Sequence, residues 1–305
     1  MRSGAVPPGG RHRCHTKELI DIRRAALTAL FLAATLVGSL ALAANRIVTL
    51  SGDATEILFA LGAGDQVVAV DATSNYPAAA TELPNLGYPG ALGPEAVMAF
   101  EPTHVIASKI TDRLPEALLG QLEALGVTVV RLDEAPTIDT PANNIRRLAA
   151  ITGQEARGEE LVAGLNDQFA QAEAMAAGFA KAPRVLFLYL GSRQMQFAGG
   201  AGTATHVLIE AAGAVDAGAE AGFVGNQPFT TEALVAAAPD VLLVTDRGLA
   251  AVGGVAGVLD IPGVKQTPAG QAGNVVSYED LYLLGMGPRF GEMLLDFVGR
   301  LSQMQ

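Results

Sequence analysis

The sequence predicts an α/β fold of two lobes, and three observations support this prediction. Short β-branched runs alternate with helical patterns from Arg46 onward, and the same alternation returns after residue 183. Strands separated by helices of this length are typical of βαβ units, in which the sheet is largely parallel. An internal repeat also pairs residues 94–108 with residues 231–245 without gaps, so each lobe is expected to contain the same helix, proline turn and buried strand.

The first 43 residues have the pattern of an export signal. Arg23 and Arg24 precede an apolar run over residues 25–44, and residues 41–43 read Ala-Leu-Ala, which a signal peptidase accepts. We therefore predict export to the periplasm with cleavage near residue 43. A transmembrane anchor is the alternative, because the run approaches the ~20 residues that span a bilayer. The route, Sec or twin-arginine, is open, as is the true start codon.

Charge and cysteine content exclude several function classes. Residues 1–43 carry six of the 20 Lys and Arg residues and two of the 31 Asp and Glu residues, so the remainder has a formal charge of −15. Nucleic acid is not an expected partner of so acidic a chain. The only cysteine, Cys14, lies within the predicted signal, so the exported chain would have no disulfide framework.

Four segments are predicted along the chain: the signal at 1–43, a first lobe at 44–140, a connecting helix at 141–182 and a second lobe at 183–305. The connecting helix is indicated by apolar residues at three- and four-residue steps, namely Leu161, Leu165, Phe169, Ala172, Met175 and Phe179. Gly153 is the one position expected to break it. From Glu155 to Ala180 the helix would extend roughly 39 Å at 1.5 Å per residue. We expect it to be rigid.

This pattern resembles a known family. Two α/β lobes, one long connecting helix and an export signal are similar to the substrate-binding proteins of ABC importers for iron chelates, haem and cobalamin. Residues 46–77, 202–214 and 280–289 most resemble the haem-binding branch, the HmuT-like proteins. The resemblance implies two Rossmann-like lobes of a class III periplasmic binding protein. It also implies a monomer that is not an enzyme and that delivers haem to an ABC permease dimer.

Tyr76 is the predicted ligand of the haem iron. It precedes Pro77, which favours extended backbone, and it follows a strand whose end should face the ligand crevice of an α/β sheet. Tyrosine is an established axial ligand of haem iron. Phenols ordinarily ionise near pH 10, so coordination and a nearby cation must favour the phenolate. The alternative is a tyrosine that caps a loop with its hydroxyl in water.

Arg247 is the predicted cation of this site. It follows the repeated strand of the second lobe, so it is expected to enter the cleft from the side opposite Tyr76. The resemblance implies a hydrogen bond from its guanidinium to the phenolate or to a haem propionate. A surface arginine paired with Asp246 is the alternative.

Two further groups are possible contacts for haem. Gly200, Gly202 and Thr203 precede a helix start, where backbone amides can hold an anion such as a propionate, although a tight turn would explain the glycines equally. Some haem-binding relatives add a histidine from this part of the second lobe, but residues 188–203 contain none. The second axial ligand and the number of haems are therefore open.

Three residues with sulfur or imidazole groups are expected to be structural, namely Met195, His104 and His206. Met195 is a soft ligand and a poor partner for ferric iron opposite a phenolate. His104 lies in a buried-strand pattern and His206 in a helix, and two histidines this far apart do not predict a zinc cluster.

Glu95 and Glu232 are the predicted docking residues. They occupy equivalent positions in the repeat, near the start of its helix. The resemblance implies that each meets an arginine of the permease. Stabilisation of the helix macrodipole is the alternative for either residue alone.

Two other functions compete with haem transport. The same fold could hold a ferric siderophore, for which Arg193, Arg247 and Arg289 are available, or cobalamin, although this chain has no tryptophan to offer. A secreted α/β enzyme is the alternative from another class. The sequence has no G-x-S-x-G nucleophile elbow and no nucleophile and histidine that the pattern brings together.

Overall fold

The computed structural model describes residues 45–108, 116–132, 136–192 and 196–304, together with residues 1, 4 and 5. The predicted signal sequence falls on residues 1–43 and lies outside the described part, except for those three positions. None of the described helices is long and apolar enough to cross a bilayer.

The first lobe is built on a parallel sheet of four strands. These are β1 (Ile47–Leu50), β2 (Val67–Ala69), β3 (His104–Ser108) and β4 (Thr128–Leu132), in the order β2-β1-β3-β4. The described helices between them are α1 (Gly52–Ala60), α2 (Pro94–Met98) and α3 (Glu116–Ala124), with short 3-10 turns at Gly64–Gln66, Ala78–Glu82 and Pro89–Ala91. All four residues of β1 are buried, as expected for a central strand covered on both faces.

Two helices follow, α4 (Thr140–Thr152) and α5 (Glu155–Ala176). The predicted break occurs at Gly153, which ends α4 in the left-handed conformation with φ of 70°. Helix α5 ends at Ala176, four residues before Ala180, to which the predicted length was counted. Its 22 residues therefore extend about 33 Å. Leu165 and Ala172 are buried as the periodicity predicts, whereas Met175 is exposed.

The described residues of the second lobe, 183–192 and 196–304, contain six strands. They are β5 (Arg184–Leu190), β6 (Gln196–Gly199), β7 (Val215–Asp216), β8 (Asn226–Gln227), β9 (Val241–Thr245) and β10 (Val275–Tyr278). The sheet runs β10-β9-β5-β6-β8, and β7 pairs with the start of β5. The pairs β10 with β9, β5 with β9 and β5 with β7 are parallel, whereas β6 is antiparallel to β5 and to β8. The prediction of two mostly parallel α/β lobes is confirmed.

Eight helices in the same described ranges accompany these strands. They are α6 (Ala204–Ala211), α7 (Ala217–Glu220), α8 (Thr231–Ala237), α9 (Asp246–Val252), α10 (Gly254–Leu259), α11 (Pro268–Ala272), α12 (Asp280–Leu284) and α13 (Phe290–Ser302). Helix α13 packs along α5. The largest apolar cluster runs from β1 and α1 through α4 and α5 to β5 and α13, so the two lobes share one core on this side. Whether α5 acts as a rigid connection stays a prediction.

The internal repeat is visible in the backbone. Helix α2 with β3 and helix α8 with β9 form the same helix, turn and buried strand. Glu101 and Ala238 are at equivalent positions in the repeat, directly before a proline. Both have positive φ, at 47° and 43°, which is uncommon for residues other than glycine. The two units therefore share an unusual turn as well as a pattern of apolar residues.

Candidate functional site

The candidate residues lie in loops that follow the parallel strands. The loop after β2 contains Tyr76 and Tyr88, Arg247 lies at the start of α9 directly after β9, and Asp280 begins α12 after β10. Crevices for ligands form where the carboxyl ends of parallel strands meet. Side-chain contacts between the lobes at this edge define the interlobe cleft.

Tyr76 is exposed and lies against an arginine that was not its predicted partner. The guanidinium carbon of Arg289 is 3.7 Å from the centroid of the Tyr76 ring, a cation–π distance. Arg247 was expected here, but its contacts are elsewhere in the cleft. Among the described residues the Tyr76 hydroxyl has no hydrogen-bond partner. Iron ligation by Tyr76 stays a prediction.

Arg289 is itself fixed by Glu56 of helix α1. Its Nε and terminal nitrogen donate to the two carboxylate oxygens at 2.9 and 2.8 Å, and its backbone N–H donates to Oε1 at 3.3 Å. Glu56 is buried. Burial by itself would lower the pKa of the Arg289 guanidinium, but the hydrogen bonds and charge of Glu56 offset this and the pKa is raised. The arginine therefore remains charged beside the Tyr76 ring.

Tyr88 has the arginine contact that the sequence assigned to Tyr76. Arg247 donates to the Tyr88 hydroxyl at 3.4 Å and, through its other terminal nitrogen, to Asp280 Oδ1 at 2.9 Å. Asp246, the partner expected for a surface arginine, is not the observed partner. Tyr88 is 52% exposed and belongs to the first lobe, whereas Arg247 and Asp280 belong to the second. This phenol therefore faces a cation across the cleft.

The other three tyrosines fit iron ligation less well. Tyr278 is buried in β10, and burial raises its pKa, which disfavours a phenolate. Burial also raises the pKa of Tyr282 to about 12, with a further contribution from Glu292. Tyr189 is half-buried on β5. Tyr76 and Tyr88 remain as the exposed phenols of the cleft.

A buried polar network supports the loop that carries Tyr76. Asp71 accepts hydrogen bonds from the hydroxyls of Thr73 at 2.7 Å and Ser74 at 2.8 Å. Nearby, Asp53 Oδ1 accepts from the Ser51 hydroxyl and from the backbone N–H of residue 54. Burial raises the pKa of Asp71, and it raises the pKa of Asp53 from 3.8 to about 6.

The Asp53 carboxyl predicts a pH-dependent stability. Between pH 4 and 6 the native state binds a proton that the unfolded state has lost, so the free energy of unfolding falls as pH rises through this range. The shift corresponds to about 3 kcal/mol at 1.36 kcal/mol per pKa unit. We expect Asp53→Asn to remove this contribution, so that its urea-unfolding free energy declines less than that of the wild type between pH 4 and 7. Parallel curves for the two proteins would contradict the prediction.

The glycine loop before α6 forms a tight turn. The Thr203 hydroxyl donates to the Gly200 carbonyl at 2.8 Å and accepts from the backbone N–H of His206 at 3.1 Å, which caps the helix. Gly202 has φ of 78°, and a side chain at Gly200 would collide with the Phe223 carbonyl. These contacts explain both glycines by the backbone alone. A propionate-facing role for residues 200, 202 and 203 stays a prediction.

The two histidines have structural contacts. His206 Nδ1 lies 2.8 Å from Asp216 Oδ2, and His104 Nδ1 lies 2.9 Å from the Thr103 hydroxyl. Burial lowers the pKa of His104. The described residues contain no group of three or more His, Cys, Asp and Glu side chains that could hold a metal. Arg193 and Met195 lie outside the described residues.

Glu95 and Glu232 are both exposed in the first turn of their helices, α2 and α8. Hydrogen bonds from its own backbone N–H and from Thr230 lower the pKa of Glu232. The structure therefore leaves both carboxylates available at the surface. Their docking role stays a prediction.

A cavity of about 430 Å³ opens beside Tyr76. It is lined by Asn75, Tyr76, Glu279, Tyr282, Arg289 and Glu292. Asn75 donates to Glu279 Oε1 at 2.8 Å, which is a further contact between the lobes. Sequence reasoning assigned no role to Glu56, Asp280 or Asn75. Of these, only Glu56 had a visible signal, since it is the single charged residue of the run "TEILFA".

A family model described as periplasmic binding protein matches residues 47–282. The chain belongs to the periplasmic binding protein family. Among solved structures, the periplasmic haem-binding protein RhuT from Roseiflexus sp. RS-1 has a TM-score of 0.81 and 43% identity. The comparison covers 86% of this chain and 99% of RhuT. The periplasmic haem-binding protein BhuT, in complex with two haems, has a TM-score of 0.78 and 37% identity over 85% of this chain and 98% of BhuT.

Two further proteins have lower sequence identity to this chain. The periplasmic haem-binding protein HutB of Vibrio cholerae has a TM-score of 0.75 and 30% identity, over 85% of this chain and 99% of HutB. A vitamin B12-binding protein of Salmonella typhimurium is 32% identical over 171 residues, which are 56% of this chain and 61% of that protein. The chain thus spans about three fifths of the length of this relative.

Proposed function

We propose that this protein binds haem in the interlobe cleft and delivers it to an ABC transporter permease. The observation that carries the proposal is the exposed Tyr88 hydroxyl of the first lobe, which accepts a hydrogen bond from Arg247 of the second. A phenolate is a suitable ligand for ferric iron, and a guanidinium at hydrogen-bond distance can donate to the coordinating oxygen. Similarity to three haem-binding proteins over nearly their full lengths supports haem as the ligand.

Tyr88 fits the iron-ligand role better than Tyr76. The face of the Tyr76 ring is covered by Arg289, whose guanidinium is already held by Glu56, and its hydroxyl has no partner among the described residues. Tyr88 is exposed, and its hydroxyl lies at hydrogen-bond distance from Arg247, whose other terminal nitrogen donates to Asp280. Tyr76 is the alternative ligand. With Tyr88 as the ligand, Arg247 is the proposed partner of the phenolate; with Tyr76 as the ligand, Arg247 is the proposed partner of a propionate.

The resemblance to vitamin B12-binding proteins gives a second candidate, which is cobalamin in the same cleft. The sequence similarity to those proteins covers little more than half of the chain. A ferric siderophore is less favoured by the contacts, because Arg289 is neutralised by Glu56 and Arg247 by Asp280. We also propose that this chain is not an enzyme, because the similar proteins are named as binding proteins.

Delivery to a permease is the proposed outcome of binding. Glu95 and Glu232 are the proposed docking residues, one in each lobe, for arginines of a permease dimer. We further propose that the chain acts in the periplasm as a monomer after removal of residues 1–43.

An absorbance titration of residues 44–305 tests the function. We expect haemin to saturate the protein at a fixed ratio with a sharpened Soret band and a ferric phenolate charge-transfer band. The ratio gives the number of haems. Cyanocobalamin and a ferric siderophore are titrated in parallel by isothermal titration calorimetry. This method is chosen because the chain has no tryptophan whose fluorescence could report binding. Saturation by cobalamin with no haemin response would overturn the proposal in favour of the second candidate.

A further inference from the structure

The Glu56 carboxylate is a buried charge in helix α1. It is 4% exposed, and leaving a buried carboxylate without a partner is strongly destabilising. Three hydrogen bonds from one residue, Arg289, satisfy it. The two residues are 233 positions apart in the chain. The pair therefore fixes helix α1 of the first lobe to the start of α13 at the end of the chain.

The same arginine also contacts the cleft. Its guanidinium lies over the ring of Tyr76 at 3.7 Å and 5.1 Å from the ring centroid of Tyr282 on α12. Tyr76 belongs to a first-lobe loop and Tyr282 to the second lobe. We name Glu56, Arg289 and Tyr76 the Arg289 clamp. It joins both lobes at the edge where their shared apolar core meets the cleft.

The contact between Arg247 and Tyr88 at the proposed ligand site is weaker than the Arg289 clamp. Arg247 and Tyr88 are both exposed, and their hydrogen bond is long at 3.4 Å. Exposed polar contacts contribute little to stability, whereas buried paired charges are costly to break. The cleft is thus held firmly at the Arg289 clamp and weakly at Tyr88.

We propose that Glu56 and Arg289 are positioning residues that set the spacing of the lobes at which Arg247 reaches Tyr88. A fixed spacing presents the phenol and the guanidinium already opposed, so that little ordering is required when a ligand enters. Arg289 acts through the lobe spacing and through Tyr76, with no contact to the reacting iron. The identity of the ligand as haem rests on the proposed function. The spacing of the lobes does not, because it is a property of the ligand-free protein.

Interlobe distances in the ligand-free protein test this proposal. The exported chain has no cysteine, so Ala124→Cys on α3 and Gln271→Cys on α11, both exposed positions, can carry a pair of spin labels. We expect one narrow distance distribution in the labelled parent. Glu56→Gln and Arg289→Met should broaden it and add longer distances. Arg289→Lys keeps the charge but not the two-pronged geometry, so it should give an intermediate width.

The matched control breaks an exposed pair elsewhere. Arg146→Gln removes the Arg146–Glu159 ion pair between α4 and α5, and it should leave the distribution unchanged. If Glu56→Gln does not fold, Tyr76→Leu still tests the clamp, because it removes the stacking partner and leaves the buried pair in place. A distribution as narrow as the parent's in folded Arg289→Met and Tyr76→Leu would overturn the proposal.

Haem release supplies the second measurement. We expect Arg289→Met to release haem about tenfold faster, equivalent to about 1.4 kcal/mol, while the phenolate band of the bound state keeps its position. A shifted or absent band would instead make Arg289 part of the ligand site and overturn its positioning role. If the parent does not bind haem, the proposed function fails, and the distance measurement still decides the clamp.

Discussion

Replacing Tyr88 by phenylalanine is expected to remove the ferric phenolate charge-transfer band of the haem-loaded protein while the fold survives. Phenylalanine keeps the ring and deletes the oxygen that coordinates iron. We expect haem to bind about 100-fold more weakly, equivalent to about 2.8 kcal/mol at 1.4 kcal/mol per tenfold. Residual binding should remain, because burial of the apolar porphyrin contributes about 25 cal/mol per Å².

Tyr76→Phe is the matched control for this variant. It makes the same chemical change on the same loop, and the remaining ring can still lie under Arg289. We expect its spectrum and haem affinity to stay close to those of the wild type. Loss of the band in Tyr76→Phe with a normal Tyr88→Phe would exchange the two roles. An unchanged band in both variants would exclude both phenols, and Tyr189 would be examined next.

Reversing the charges of Glu95 and Glu232 together is expected to abolish haem transport. Lysine at both positions would face the permease arginines with like charge, which disfavours docking strongly. Haem affinity should be unchanged, since both carboxylates are exposed at the starts of α2 and α8. Transport is measured as haem uptake into vesicles containing the permease, with haem-loaded protein supplied outside.

The control for this double variant makes the same change in net charge elsewhere. Glu155 and Glu173 are exposed on α5 and have no place in the repeat. Glu155→Lys with Glu173→Lys should transport at the wild-type rate. Equal loss of transport in both double variants would show a general charge effect. Loss of haem binding in the Glu95 and Glu232 variant would show that these carboxylates are structural.

Local sequence signals predicted most of the fold. The alternation of strands and helices predicted two largely parallel lobes, and Gly153 predicted the break between α4 and α5, because both depend on neighbours within a few residues. The repeat predicted that α2 with β3 and α8 with β9 would match. The apolar stripe overestimated the length of α5, since Phe179 continues the spacing beyond the end of the helix at Ala176.

The site was predicted less completely, for a physical reason. The sequence placed Tyr76 in the loop after β2 and Arg247 after β9. It could not decide which phenol the arginine would reach, because that depends on the distance between the two lobes. Glu56 and Arg289 are 233 positions apart, and no local pattern connects them. Such contacts are visible only after both lobes have been folded and brought together.

The matched turns at Glu101 and Ala238 bear on the strength of docking. A chain that builds the same unit in each lobe presents two equivalent carboxylates, and the proposed permease dimer would present an arginine to each of them. Under the docking proposal, each exposed ion pair alone is weak. Once one has formed, the other is held at a high effective concentration, so that the two together bind with avidity. A brief, reversible engagement can then be selective without any single strong contact.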